Sequence, residues 1–181
     1  MKVLIRHAEK SYYNGKPNNI SDHKHDPPLT EKGILDVINK TSTLIQTYGL
    51  PTKIITSPFL RCRQTAILLR LTCLEYIKNQ KIQHNDIEIC IDPIFSEYLG
   101  NHNQDTLDLN SETGKYEIPH PENWITFELR MFHACKLLRT LQDDNIWIIT
   151  HGVVMSTVRQ FITQDRSRTN YNYLDTLVFT D

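Results

Sequence analysis

The chain has 181 residues, about the size of one domain, and 39% of them are hydrophobic, which is enough for a buried core. It carries 20 basic and 21 acidic side chains, so it lacks the basic excess that a nucleic-acid binder usually shows. The four cysteines form no CxxC pair and suggest free thiols in a reducing cytosol, and no apolar run reaches the ~18 residues that span a bilayer. We therefore expect one domain over residues 1–181, located in the cytoplasm, with neither nucleic acid nor membrane as a partner.

Short apolar runs predict five strands, at residues 3–5, 53–56, 87–91, 146–149 and 174–179. Helical spacing of apolar residues predicts four helices between them. The first is capped by Thr30 and ended by Gly49, and the others begin near Phe59, Trp124 and Gly152. The buried face predicted for the second helix consists of Leu60, Ile67, Leu68, Leu71 and Leu74. Alternating strands and helices indicate a three-layer α/β/α fold with a mostly parallel central sheet.

Two polar stretches without periodicity, residues 10–28 and 100–121, are predicted to be loops. Long loops inside a compact domain are often functional. We expect substrate specificity to reside in these two stretches.

Three of the predicted strands end in residues that can do chemistry. Arg6 and His7 follow the first strand, Ser57 follows the second and leads to Arg61, and His151 follows the fourth. In open sheets of this kind, ligands bind beyond the carboxyl ends of the strands. Two histidines and two arginines there would form an anion pocket with a nucleophile, because guanidinium groups match phosphate oxygens. Spacing alone also allows four unrelated surface residues.

These residues resemble the motifs of the histidine phosphatase superfamily, which includes phosphoglycerate mutases and many acid phosphatases. Residues 6–9 (RHAE) are similar to its RHG signature, residues 57–66 (SPFLRCRQTA) to its SPxxRxxQTA segment, and residues 150–152 (THG) to its second histidine motif. Glu97 stands where the family has an acidic residue after its third strand. The four matches follow the family's order and cover most of the chain, so the resemblance implies a phosphoglycerate mutase-like fold.

Within the superfamily, residues 26–33 (DPPLTEKG) resemble a stretch of the ubiquitin-associated, SH3-containing tyrosine phosphatases. Residues 60–62 and 121–130 are similar to that branch as well. The chain departs from the pattern at Ala8, which replaces the signature glycine, and at Lys10, which stands where the branch has an arginine.

The resemblance implies a role for each site residue. His7 would be the nucleophile that becomes phosphorylated, Arg6 and Arg61 would bind the phosphoryl oxygens with Lys10 as a further point charge, and His151 would stabilise charge in the transition state. Glu97 would act as general acid and then general base; a solvated loop carboxylate is the alternative. This chemistry needs no metal and no cofactor, and no metal-ligand spacing accompanies the histidines.

The predicted function is a phosphatase that acts on a phosphotyrosine protein or on a phosphorylated small molecule. A phosphoglycerate mutase-type phosphotransferase is the second hypothesis, and the shortness of the chain favours hydrolysis over it. A third hypothesis is a catalytically inactive interaction module of the same fold. The presence of all five residues Arg6, His7, Arg61, Glu97 and His151 argues against that third hypothesis.

Overall fold

The computed structural model describes residues 1–11, 23–100, 108–142 and 145–179. The parts of the predicted loops at residues 12–22 and 101–107 lie outside these ranges. The elements are β1 Lys2–Arg6, α1 Glu31–Tyr48, β2 Lys53–Thr56, α2 Leu60–Gln80, β3 Glu88–Ile91, α3 Trp124–Thr140, β4 Ile146–Thr150, α4 Gly152–Thr163 and β5 Thr176–Phe179. Short 3-10 turns lie at Pro93–Phe95 and Thr113–Lys115. None of the described helices has the length and apolar character needed to cross a membrane.

The strands form one sheet in the order β3-β2-β4-β1-β5. The first four are parallel to one another, and β5 runs antiparallel along β1 at the edge. The mostly parallel α/β fold predicted from the sequence is thereby confirmed. All residues of β4 are buried, as expected for a central strand covered on both faces.

Helices cover both faces of the sheet. On β1, Val3 and Ile5 pack in a core cluster with residues of α1 and α2, such as Val37 and Leu69. Leu4, between them, belongs to the opposite cluster with residues of α3 and α4. This alternation follows from the two-residue period of a strand, and it gives the three layers that the sequence predicts.

The buried face predicted for α2 is wrong at Ile67 and Leu71, whereas Leu68 and Leu74 are partly buried and pack against the core. Ile67 is 49% exposed and Leu71 is 53% exposed, while the sheet-facing residues are Arg61, Cys62, Thr65, Ala66, Leu69 and Cys73. The large aliphatic side chains suggested one rotation of the helix. Its actual rotation turns a face of smaller and polar side chains inward, and this face also carries Arg61 into the site.

The first turn of α1 packs directly on the loop after β1. Thr30 caps the helix by accepting a hydrogen bond from the Gly33 N–H (2.9 Å), which confirms the predicted cap. A Cβ atom at Gly33 would lie only 2.3 Å from the carbonyl oxygen of Glu9. The contact between α1 and the 6–9 segment therefore requires glycine at this position.

Candidate active site

The predicted site residues come together at the carboxyl edge of the sheet. Arg6 ends β1 and His7 follows it, His151 lies between β4 and α4, and Arg61 stands in the first turn of α2. Glu97 follows the 3-10 turn after β3. Because β4 lies between β1 and β2 in the sheet, the segments that follow these three strands are neighbours.

His7 is buried and held in a defined tautomer. Its Nδ1 lies 2.8 Å from the carbonyl oxygen of Ala8. A carbonyl can only accept, so Nδ1 carries the proton and Nε2 keeps its lone pair. Burial, and then the positive charge of Arg61, lower the pKa of His7 well below 6.5. At neutral pH the ring is therefore an uncharged imidazole with a free nucleophilic nitrogen.

His151 faces His7, with 5.3 Å between the ring centroids. Its Nε2 lies 2.9 Å from Ser57 Oγ, and its Nδ1 lies 3.2 Å from Glu97 Oε2. Burial, opposed by Glu97 and reinforced by Arg61, lowers the pKa of His151 to about 4. The neutral tautomer that fits both neighbours donates from Nδ1–H to Glu97 and accepts the Ser57 hydroxyl at Nε2.

Glu97 is an ionised carboxylate in this arrangement. Its Oε2 accepts a hydrogen bond from Arg61 Nη2 (3.4 Å) in addition to the contact with His151. Burial by itself would raise the pKa of Glu97, but His151 and the charge of Arg61 outweigh it and lower the pKa well below its usual value. A carboxylate bound in this way contradicts the alternative of a merely solvated loop residue.

The two arginines each keep a donor available. Arg61 donates from Nη1 to the carbonyl of His25 (3.3 Å), and Arg6 donates from Nη1 to the carbonyl of Tyr171. The Arg6 guanidinium also lies over the ring of Tyr173, 4.5 Å from its centroid. Within the described residues, the buried Nε of Arg6 and that of Arg61 have no hydrogen-bond acceptor. Each of the two arginines therefore has an N–H group left to donate to a further acceptor.

Lys10 belongs to the same electrostatic environment. It pairs with Leu29 in an isolated β-bridge beside the site. Burial, and then the charge of Arg61, lower the pKa of Lys10, while Glu97 acts in the opposite direction. The cations predicted from the sequence thus influence one another, as they must if they surround one anion.

Asp26 is a site-supporting residue that the sequence reasoning did not single out. This fully buried carboxylate accepts from the Leu60 N–H (2.6 Å) and so caps the start of α2. It also lies 3.7 Å from Arg61 Nη1 and accepts from the hydroxyl of Thr113. Its position in the 26–33 motif was the feature of the sequence that could have identified it. Asp26 fixes both the helix and the guanidinium.

Thr65 and Gln64 tie α2 to the loops around His7. Thr65 Oγ1 accepts from the Ala8 N–H (3.1 Å) and donates to the carbonyl of Arg61 (2.8 Å), while Gln64 Oε1 accepts from the Leu29 N–H (2.8 Å). Ala8, which stands in place of the signature glycine, is buried and is not among the described residues with positive φ. The alanine therefore fits without backbone strain.

Arg130 holds the segment that leads to Glu97. Its guanidinium makes two hydrogen bonds to the carboxylate of Glu122, of 2.8 and 2.6 Å. From Nη1 it also donates to the carbonyls of Ile94 (2.9 Å) and Ser96 (3.0 Å). Glu122 is buried and the Arg130 side chain is only 9% exposed, and the carbonyls that Arg130 binds fix the backbone immediately before Glu97.

His7, Glu97 and His151 could also be considered as metal ligands, because one donor atom from each lies within 4.8 Å of the others. Arg61 Nη2 lies 3.3 Å from His151 Nδ1 and 3.4 Å from Glu97 Oε2. A guanidinium so close to two of the three donors opposes a divalent cation there. The metal-free site stays a prediction that a chelator can test.

The sequence profile of the Histidine phosphatase superfamily (branch 1) matches residues 3–176. The chain therefore belongs to this superfamily, as its motifs suggested. No curated protein gives a match to the sequence.

Solved structures with the same fold come from several bacteria. Bacillus stearothermophilus YhfR is 21% identical, with a TM-score of 0.62 over 96% of this chain and 86% of that one. Open reading frame Rv3214 of Mycobacterium tuberculosis is 17% identical, with a TM-score of 0.62 over 97% and 88%. A mycobacterial glucosyl-3-phosphoglycerate phosphatase, solved with VO3, is 14% identical, with a TM-score of 0.61 over 96% and 88%. At these identities the likeness concerns the fold.

Proposed function

We propose that this protein hydrolyses phosphate monoesters through a phosphohistidine intermediate on His7. The observation that carries the proposal is the fixed tautomer of His7, whose Nδ1 is bound to Ala8 while Nε2 keeps its lone pair in a pocket with two arginines. A neutral imidazole is a competent nucleophile at neutral pH, and a covalent route divides one difficult step into two.

In the first step, the Nε2 lone pair attacks phosphorus, the ester P–O bond breaks, and its electron pair leaves with the alcohol oxygen. Arg6 and Arg61 donate to the equatorial oxygens, where phosphoryl transfer needs positioning and charge neutralisation. The Nδ1–H of His151 is a further donor. In the second step, water attacks the phosphohistidine, the P–N bond breaks, and inorganic phosphate leaves.

Glu97 would move the protons in both steps. In the free protein it is a carboxylate, held by Arg61 and His151. A bound phosphate dianion draws these donors toward itself and adds negative charge, and both effects raise the pKa of Glu97. Glu97 can then take up a proton, give it to the leaving oxygen, and later accept a proton from the attacking water.

The proposed function includes two candidate classes of substrate. The likeness of residues 26–33 to the tyrosine phosphatase branch favours phosphotyrosine, and the named phosphatase among the structural neighbours favours a phosphorylated small molecule. A mutase would return the phosphoryl group to an organic hydroxyl instead of to water. The partition between these acceptors is measurable.

The test is to trap and locate the phosphoenzyme. The protein is mixed with an aryl phosphate in the presence of EDTA, quenched rapidly, and mapped by mass spectrometry. We expect one phosphoryl group on His7 that is stable to base and labile to acid. His7→Ala should lose both the label and turnover, whereas His133→Ala, which removes an exposed histidine on α3, should lose neither.

Two outcomes would overturn the proposal. One is a label on a residue other than His7. The other is no EDTA-resistant turnover of an aryl phosphate, a phosphotyrosine peptide, a phosphoserine peptide or phosphoglycerate. Transfer of the label to added phosphoglycerate in preference to water would instead indicate a mutase.

A further inference from the structure

A cavity of about 370 Å³ extends from the catalytic residues toward the segment that follows α4. Its lining includes Arg6 and Glu97 as well as Arg168, Asn170 and Asn172. Its volume lies within the range of small-molecule sites, roughly 300–1,000 Å³. One wall of this cavity is therefore built by residues 168–172, a stretch that the sequence analysis did not connect with specificity.

This wall is fixed to the fold at several points. Asp165 accepts a hydrogen bond from Arg159 on α4 (2.8 Å), and the Thr169 N–H donates to Ser156 Oγ on the same helix (3.0 Å). Farther along, the carbonyl of Tyr171 accepts from Arg6. A segment anchored on both sides of residue 168 presents its side chains in a defined place, as a preorganised binding wall requires.

Arg168 is a cation on this wall whose side chain takes no part in holding the described part of the fold together. Its side chain is exposed, and it forms no ion pair or hydrogen bond with the described part of the chain. Arg159, nearby on α4, is by contrast paired with Asp165. A guanidinium without a partner, presented on an anchored wall of the catalytic cavity, can bind a carboxylate or phosphate in bidentate fashion.

We propose that Arg168 binds a second anionic group on the leaving part of the substrate. The inference rests on the proposed phosphatase function and makes its substrate class specific: a small, hydrophilic phosphate ester that carries a carboxylate or a second phosphate. In this proposal the phosphoryl group contacts Arg6 and the second anion contacts Arg168, which line the same cavity. The amide groups of Asn170 and Asn172 in that lining suit hydroxyl groups of such a substrate better than the ring of phosphotyrosine.

The experiment compares substrate pairs that differ in one anionic group. Phosphoglycerate is paired with glycerol phosphate to test a carboxylate, and fructose bisphosphate with fructose monophosphate to test a second phosphate. The variant is Arg168→Gln, and its matched control is Arg166→Gln. Arg166 is also exposed and loses the same charge from the same segment, but it lines a separate cavity between α3 and α4.

Arg168→Gln should lower kcat/KM for the doubly anionic member of at least one pair by ~10- to 100-fold, the usual worth of a charged hydrogen bond. The loss should appear mainly in KM, because the contact is made equally in the ground and transition states. The singly anionic member should change less than about threefold, and Arg166→Gln should leave both members unchanged. The pair that responds identifies the anion as carboxylate or phosphate.

Equal losses on both members of each pair, or equal effects of the two variants, would overturn the inference, because either result would reflect general electrostatic attraction. A wild-type preference for phosphotyrosine peptide over all four small esters would overturn it as well. Aryl phosphate hydrolysis is measured on the same samples, so that a failure of the Arg168 inference can be distinguished from a failure of the proposed phosphatase function. If His7-dependent aryl phosphate turnover persists, only the role of Arg168 is refuted. If neither the aryl phosphate nor any of the peptides and small esters is turned over, both proposals fall.

Discussion

The carboxylate of Glu97 lies between a permanent cation and the place where a phosphate would bind, with its Oε2 3.4 Å from Arg61 Nη2. In the free protein it competes with an anion for the same guanidinium. Glu97→Gln keeps the shape of the side chain and removes its charge. We expect this variant to bind oxyanions more tightly and to turn over unactivated esters more slowly.

The size of the binding effect follows from Coulomb's law. Two unit charges about 5 Å apart in a medium with an effective dielectric constant of about 20 repel each other by about 3 kcal/mol. Arg61 screens part of this repulsion, so we take about 1.4 kcal/mol as the working value, which corresponds to a ~10-fold smaller dissociation constant. For the wild type, the same energy corresponds to a rise of about one unit in the pKa of Glu97 when the anion binds.

That rise is measurable as proton uptake. The pKa of Glu97 is well below its usual value in the free protein, and a bound dianion raises it, so the proton uptake on binding grows as the pH falls. Calorimetric titration with tungstate at neutral and at acid pH, in two buffers of different ionisation enthalpy, gives the number of protons taken up. We expect a small uptake at neutral pH, and at acid pH a larger uptake for the wild type than for Glu97→Gln.

Turnover should change in the opposite direction. An ester with a poor leaving group, such as phosphoserine, needs a proton in the first step and should lose ~10²- to 10⁴-fold in rate. An aryl phosphate leaves largely without assistance, so its first step should be much less affected. Slow hydrolysis of the phosphohistidine would then appear as a burst of phenol before a slower steady state.

Exposed Glu75 on α2 provides the control, and Glu75→Gln should change neither binding nor rate. The reasoning about Glu97 would be refuted if tungstate bound to Glu97→Gln more weakly than to the wild type. Equal, small losses in rate on both substrates would show that another group supplies the proton.

Further predictions concern pH and stability. The pKa values of His7 and His151 lie below 6.5 in the folded protein, so both side chains take up a proton when the protein unfolds at a pH below 6.5. The free energy of unfolding should therefore fall as the pH drops from 6.5 toward about 4, by up to about 2.7 kcal/mol per pH unit. Urea titrations of His7→Gln should show about half that slope. Arg130→Met leaves Glu122 buried without its partner and should lower the free energy of unfolding by about 3–5 kcal/mol in the same assay. Gly33→Ala should destabilise the protein and also reduce kcat, because the added Cβ atom would press on the Glu9 carbonyl. An unchanged kcat would show that the packing of α1 on the 6–9 segment does not affect the site.

The sequence could predict that Arg6, His7, Arg61 and His151 cluster, because each of them ends or follows a strand or begins a helix. Arg6 and His7 follow β1 and His151 follows β4, and parallel strands bring their carboxyl ends to one edge. Glu97 required family resemblance, since nothing in its local pattern distinguishes it from other loop carboxylates. Only the structure, with Oε2 3.2 Å from His151 Nδ1, brings Glu97 into the cluster.

The parts that could not be predicted depend on rotation and on long-range packing. The rotation of α2 buries Arg61 and Thr65 and leaves Ile67 and Leu71 exposed, whereas the aliphatic pattern predicted that Ile67 and Leu71 face the core. Tyr173 contacts Arg6 only because β5 runs antiparallel to β1, which brings the turn before β5 to the carboxyl edge. In that turn Leu174 has a positive φ of 59° while its N–H donates to the Arg6 carbonyl (3.1 Å).

The same hydrogen bonds that complete the sheet also shape the site. The His7 N–H donates to the carbonyl of Thr150 (2.9 Å), and the Ser57 N–H donates to the carbonyl of Ile149 (3.0 Å). Each bond continues a parallel ladder onto β4 by one residue beyond β1 or β2. The backbone of His7 and that of Ser57, whose hydroxyl contacts His151, are therefore held by the central strand, which is buried throughout. Local opening usually begins in loops and lids that have few buried contacts. Backbone attached to the central strand is instead lost with the sheet itself, so the positions of His7 and Ser57 persist for as long as the core remains folded.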